Sequence, residues 1–198
     1  MITALDIRDW RLRVAELYRQ VREAPTPEQG HGAWAEGRAR LLREHAASPV
    51  PVAERAVFVP TIAPYRPELR FVVPVAPAEP QRREVPTASD GVVPFERVGV
   101  VDLDPWGTLD LWWLDSYGGG LFLPLRDGSP RTYGGGRYLL DTVKGADLGG
   151  NADALVVDLN FAFQPSCAYS SDWVCPLPGP GNTWSQPVDA GELHVAHA

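Results

Sequence analysis

A chain of 198 residues is long enough for one domain with a single core, or at most two small ones. Apolar residues are 44% and charged residues 22% of it, while 19 Gly and 20 Pro fill about a fifth, which excludes a bundle of long helices, and no Gly-X-Y period points to collagen. The net charge of −7 is uneven: residues 1–85 carry 13 Arg against 11 acidic residues, whereas 86–198 carry 5 basic against 14 acidic, the reverse of the basic stripe that binds a phosphate backbone.

In chain order, residues 3–23 read as a helix. Ile7, Trp10, Val14, Leu17, Tyr18 and Val21 recur at helical spacing, and Pro25 and Pro27 end the segment. A second helix is expected from about Ala33 to Ala46, on a stripe of Trp34, Leu41 and Leu42, and a short third one near Ala53–Phe58, after the Ser48-Pro49-Val50-Pro51 turn. From Glu68 the pattern switches to strands. Leu69, Phe71, Val73 and Val75 alternate with their neighbours, with Pro74 marking an edge or an end. Residues 76–90 read as a loop or irregular hairpin ending in Asp90-Gly91. Strands follow at about 95–103, 108–115, 121–126, 137–143 and 154–163, separated by turn residues that include Gly118-Gly119-Gly120 and Asp127-Gly128. Trp112-Trp113 send one indole to each side of their strand. After Phe163 the chain is proline-rich and irregular, and 186–198 lack any strong period and are expected to fray.

The fold expected is mainly β with α+β character: an antiparallel, barrel-like sheet core with two or three N-terminal helices. It would be a single domain over 1–198, with 1–47 as a helical segment packed on a β-rich core at 68–192. No apolar run reaches the length of a membrane span or signal peptide. The expected setting is therefore cytoplasmic, with Cys167 and Cys175 as thiols.

Three stretches invite a chemical reading. In Thr132-Tyr133-Gly134-Gly135-Gly136-Arg137-Tyr138, the glycines allow a close backbone approach, and the Arg137 fork suits a carboxylate of the protein or of a ligand. In Leu155–Phe163, alternation puts Leu155, Val157, Leu159, Phe161 and Phe163 on one face. Asp158 and Asn160 fall on the other, roughly 6–7 Å apart. That polar face either meets solvent or lines a cavity. The third stretch holds Pro165-Ser166-Cys167-Ala168-Tyr169, Trp173 and Cys175-Pro176-Leu177-Pro178. Its cysteine spacing is not that of a zinc knuckle, so no metal is expected. His31, His45, His194 and His197 all lie outside this central region, which disfavours a Ser-His-Asp or Cys-His arrangement.

Together these stretches resemble a bacterial and archaeal family of uncharacterised proteins, the domain of unknown function 1684. The Thr132–Tyr138 block matches its pattern. So do Asp158, Asn160, Ala162, Pro165, Cys167, Ala168 and Tyr169. Cys175, Pro176, Leu177, Pro178, Pro180 and Asn182 follow, and then Ala190, Gly191 and Glu192. Earlier, Ser48-Pro49, Glu54-Arg55 and Leu69-Arg70-Phe71 are similar, so the resemblance spans about residues 34–192. Phe163-Gln164 stands where the family has Tyr-Asn. Pro180-Gly181 replaces a Pro-x-Glu, so a carboxylate is lost. The family implies a compact domain and no established reaction. Because Arg137, Asp158 and Asn160 fall on its pattern, the resemblance favours the cavity reading of the polar face.

The leading functional expectation is a small enzyme without cofactor that hydrolyses, isomerises or cyclises an organic metabolite in a β-rich pocket. Asp158 would be acid or base, Arg137 would hold an anionic or carbonyl group, and Tyr169 would orient the substrate. Cys167 is a candidate nucleophile. Asn160, Tyr133, Tyr138, Asn182 and Trp173 would bind substrate. The alternative is a non-catalytic small-molecule-binding module, for which seven Trp, six Tyr and six Phe offer stacking surfaces. A third reading docks the proline-rich 176–187 segment on a partner. The expected partner is a small molecule, with no nucleic acid and no membrane; a homodimer is left open.

Overall fold

The computed structural model describes residues 2–86 and 91–194, so His197 and the Asp90 turn position lie outside the described residues. Two helices come first. α1 (Ala4–Glu23) starts from a capping box in which Thr3 and Asp6 satisfy each other's backbone N–H. Only its second half is covered: Leu17, Tyr18 and Val21 are buried, whereas Ile7 stays exposed. α2 (Pro27–Glu44) begins earlier than its apolar stripe suggested. Thr26 caps it and Pro27 occupies its first turn, where the missing N–H costs nothing. Pro25 follows the Ala24 cap that ends α1, whereas Pro27 opens α2. The expected third helix is absent. Residues 52–57 form successive turns with i→i+3 bonds, Glu54 N–H to Pro51 O and Val57 N–H to Glu54 O, between Pro51 and Pro60.

Nine strands follow among the described residues, paired antiparallel throughout. They are β1 (Thr61–Ile62), β2 (Arg70–Pro74), β3 (Arg82–Pro86), β4 (Val92–Asp102), β5 (Thr108–Leu114), β6 (Gly120–Leu125), β7 (Arg137–Asp141), β8 (Ala154–Asp158) and β9 (Glu192–Leu193). The main sheet has the order β3-β4-β5-β6-β7, with β2-β8 and β1-β9 as separate ribbons. The sheet is open rather than a closed barrel, and within the stretch read as a loop or irregular hairpin, β3 pairs antiparallel with β4. Trp112 is buried and Trp113 is 39% exposed, as alternation requires.

The principal core lies between the sheet, the β2-β8 ribbon and the segment 184–190. A second cluster joins α1 and α2 to Phe161, Ala146 and Leu148. The C-terminal segment does not fray over its described part: Val188, Ala190, Glu192 and Leu193 are buried. Arg137, fully buried on β7, binds it in place. Its guanidinium donates to Val188 O at 2.9 Å, Glu192 O at 3.2 Å and Ala190 O, while pairing with Asp127 at 2.8 Å. Ahead of the two-residue β1-β9 ladder the strap lacks a sequence period, because Arg137 rather than a neighbouring strand meets its Val188 and Ala190 carbonyls.

Candidate functional site

The polar residues singled out by sequence do not meet in one cavity. The expected strand over 154–163 stops at Asp158, and a 3₁₀ turn, Leu159–Phe161, takes over. The turn breaks the alternation, so Asp158, Leu159, Asn160 and Phe161 are all buried. Asp158 Oδ1 caps that turn, accepting from Asn160 N at 3.0 Å and Asn160 Nδ2 at 2.7 Å. Its Oδ2 has no hydrogen-bond partner among the described residues. Burial raises the Asp158 carboxyl to about 6 against the opposing hydrogen bonds from Asn160. Asn160 pairs with the Arg66 backbone, accepting at Oδ1 (2.9 Å) and donating from Nδ2 (2.8 Å). Its carbonyl faces His31 Nε2 at 3.1 Å. These are internal networks, as is that of Arg137, and each leaves one buried atom, Asp158 Oδ2 and Arg137 Nε, without a hydrogen-bond partner among the described residues. Asn182 is equally committed, donating to Asp110 O and Pro124 O and accepting from Trp112 Nε1 at 2.9 Å.

The glycine triplet serves a close approach. At Gly136 φ is +89°, and a Cβ would stand 2.6 Å from Pro178 Cγ and 2.9 Å from Leu125 O, so the 176–178 segment can lie against β7. There Tyr138 donates to Pro176 O at 2.7 Å, and Tyr133 reaches Cys167 O at 3.4 Å. The proline-rich segment is thereby packed, with Asn182 and Trp184 buried. A Cβ on Gly181 would lie 2.1 Å from Asp110 Oδ2, so a carboxylate from β5, paired with Arg97 at 3.1 Å, stands beside that position.

Tyr169 does reach a cleft. The loop between α2 and β1 is folded by Arg55, which donates to His45 O, Ser48 O and Val50 O at 2.8–3.0 Å. This loop faces residues 164–169 and 192–194 across a cleft of about 600 Å³. Val57, Phe58, Val59 and Pro60 form one wall. Val57 is 82% and Val59 72% exposed. Tyr169, Glu192, Gln164 and His194 form the polar floor. A second cleft of about 610 Å³ shares Val50 and Pro51 and is lined by Trp173.

Under the floor, Arg38 crosses from α2. Its side chain is 12% exposed and that of Glu192 is 0%. Glu192 Oε2 accepts from Arg38 Nε at 2.7 Å and Gln164 N at 3.0 Å, while the Tyr169 hydroxyl donates to Oε1 and accepts from Arg38 Nη2 at 2.8 Å. Burial holds the Tyr169 phenol well above its ordinary value, and the Glu192 carboxylate adds to this against the pull of Arg38. Tyr169 is thus a fixed hydrogen-bonding group rather than a base. Gln164 Nε2 donates to Leu193 O at 3.1 Å, which turns its Oε1 toward His194 Nδ1 at 3.3 Å. In the tautomer that donates from Nδ1 to this amide oxygen, Nε2 is left as an acceptor.

Of the residues expected from sequence, Tyr169 and Trp173 line clefts, and Tyr138 meets Tyr169 on a smaller cavity of about 60 Å³. Tyr133, Tyr138 and Cys167 gather on the neighbouring 165–178 segment. Arg137, Asp158, Asn160 and Asn182 lie inside the protein. Sequence reasoning did not single out Arg38, Arg55, Gln164 or His194 as site residues. Arg55 and Glu192 sit on motif positions, which was the available signal, whereas nothing local marks an arginine within α2.

The family described as "Protein of unknown function (DUF1684)" matches residues 60–193. The chain belongs to this family. The solution NMR structure of an uncharacterized protein of Haloarcula marismortui is similar, with 30% identity over 86% of this chain and 96% of that one and a TM-score of 0.59. No curated protein matches. As a DUF1684 protein, the chain carries its floor residues Gln164, Tyr169 and Glu192 and its wall residues Pro60 and Thr61 inside the matched region. Among its described residues no helix is long and apolar enough to cross a membrane.

Proposed function

We propose that this DUF1684 protein is a small-molecule-binding module. Its ligand is an organic molecule with an apolar body and a hydrogen-bond-donating polar end. The observation that carries the reading is the cleft of about 600 Å³ between the 50–61 loop and the Tyr169–Glu192–His194 floor. A concave site with apolar walls and a few convergent polar groups is what small ligands occupy. The body lies against Val57, Phe58 and Pro60, and the donor meets His194 Nε2. The acid–base roles expected of Asp158 and Arg137 are not carried into this reading, because neither side chain lines the cleft. The Glu192 carboxylate there is engaged by Arg38, Tyr169 and Gln164.

The test is a backbone amide NMR titration with two probes, phenethylamine and 2-phenylethanol. Shifts are expected over residues 57–61, 164–169 and 192–194, and their loss on Phe58→Ala with the remaining spectrum intact. Shifts confined to other surfaces, or no saturable shifts with either probe, would reject the proposal.

A further inference from the structure

The 165–178 segment holds chemistry that the ligand cleft does not use. Cys167 sits in the short turn Ser166–Ala168, and Cys175 follows eight residues later. The loop between them returns on itself, so that the Cys167 backbone N–H donates to Cys175 Sγ at 3.4 Å. That contact sets the two cysteines side by side. Both are free and only half-buried, unlike the inert cysteines of a core. The pair is held from both sides: Tyr133 stands 3.9 Å from Cys167 Sγ, and Tyr138 holds the Pro176 carbonyl next to Cys175.

We propose that Cys175 and Cys167 are a redox-active dithiol that exchanges with low-molecular-weight disulfides, Cys175 attacking and Cys167 resolving.

The assignment of roles follows from what surrounds each sulfur. Cys175 accepts from the Cys167 backbone N–H, and the Cys167 thiol, Lys144, the only lysine of the chain, and Tyr138 surround it. These favour its thiolate and outweigh the desolvation of its site, so it titrates well below an ordinary thiol. The neighbouring Cys175, first, and burial push the Cys167 thiol up, with Tyr133 opposing. Asp141 also acts here through its contact with Lys144 at 3.4 Å.

In the first step the Cys175 thiolate attacks one sulfur of the external disulfide. A Cys175–S–S–R bond forms, the R–S–S–R bond breaks, and RS⁻ leaves. That step removes the negative charge that had kept Cys167 protonated. Cys167 then gives its proton to the departing thiolate and attacks Cys175 Sγ, forming the intramolecular disulfide and releasing the second R–S group. Two protein thiols are oxidised and one small disulfide is reduced to two thiols, so the electrons balance without a further oxidant. The proposal is independent of the ligand-cleft reading.

The experiment equilibrates the full chain across ratios of glutathione disulfide to glutathione, quenches in acid, alkylates the remaining thiols and measures intact mass. The expected result is a single two-electron transition in which both thiols disappear together. Cys167→Ser is expected to stop at one glutathione adduct on Cys175. Cys175→Ser is expected to react about tenfold more slowly or worse. Independently, iodoacetamide alkylation of the parent at Cys175 should show an inflection below about pH 7.5. Two alkylatable thiols at the most oxidising ratio, or a Cys175 inflection at the ordinary value of about 8.5, would overturn the proposal without recourse to either variant.

Discussion

The Arg38 guanidinium and the Glu192 carboxylate meet at 2.6 Å, although 153 residues separate them in the chain. Arg38 is on α2 and Glu192 on β9, so this ion pair joins the helical layer to the terminal strap and supports the floor of the cleft. Removing one partner of a buried pair leaves the other charge uncompensated, which costs about 3–5 kcal/mol. Glu192→Gln should therefore destabilise by about that amount in urea denaturation. Arg38→Met combined with Glu192→Leu should cost less than Glu192→Gln alone, because no charge remains buried. A loss under about 1 kcal/mol for Glu192→Gln would contradict a buried, unscreened pair.

The carboxyl of Asp158 makes stability depend on pH in an unusual direction. Burial lifts it from 3.8 in the unfolded chain to about 6 in the folded one. A raised folded value favours the protonated form, so its contribution is fully present below about pH 4 and lost as pH rises through about 6. Asp158→Asn keeps the acceptor for Asn160 and cannot ionise. Its stability relative to the parent should rise by about 2–3 kcal/mol between pH 4 and pH 7. Taking the difference between the two proteins cancels groups common to both, including buried His31, whose value burial lowers. Denaturation midpoints of both proteins across this range provide the check, and a difference that is flat or falls with pH would count against it.

Gly181 is needed because Asp110 occupies the space beside it. With a Cβ only 2.1 Å from Asp110 Oδ2, Gly181→Ala must displace a carboxylate that Arg97 holds. A cost of about 1–3 kcal/mol is expected. Asp110→Ala in the same chain should recover about 1 kcal/mol or more relative to additivity. An additive pair of thermal-denaturation values would mean that the two positions do not compete for this volume.

Periodicity made much of the fold legible. The helical spacing of Leu17, Tyr18 and Val21 and the alternation about Trp112 and Trp113 report burial directly, because a solvated face and a covered face need different side chains. The α+β class, the two helices and most strands of the main sheet follow from that. The errors fell where backbone groups are satisfied by something other than a regular ladder. Pro27 reads equally as a stop or as a first-turn residue, and the Thr26 cap decides it. The 154–163 alternation continues through Phe163 on paper, yet Asp158 caps a turn and ends the strand.

The candidate site divides in the same way. Sequence by itself determined the mostly β architecture, the family and the chemically dense 165–178 segment, since motif order and hydrophobic period are local properties of the chain. Tertiary structure alone decided what its polar residues do. Arg137 and Asp158 face inward rather than into a cleft, and Arg38 reaches Glu192. Cys175, not Cys167, has the surroundings of a thiolate. Each of these rests on which atoms donate to which across long stretches of chain, and a donor's partner is set by the packed backbone rather than by its neighbours in sequence. The excess of glycine and proline acquires its meaning there. It lets irregular segments approach closely enough for Arg137, Arg55 and Asn182 to satisfy carbonyls that no strand pairs.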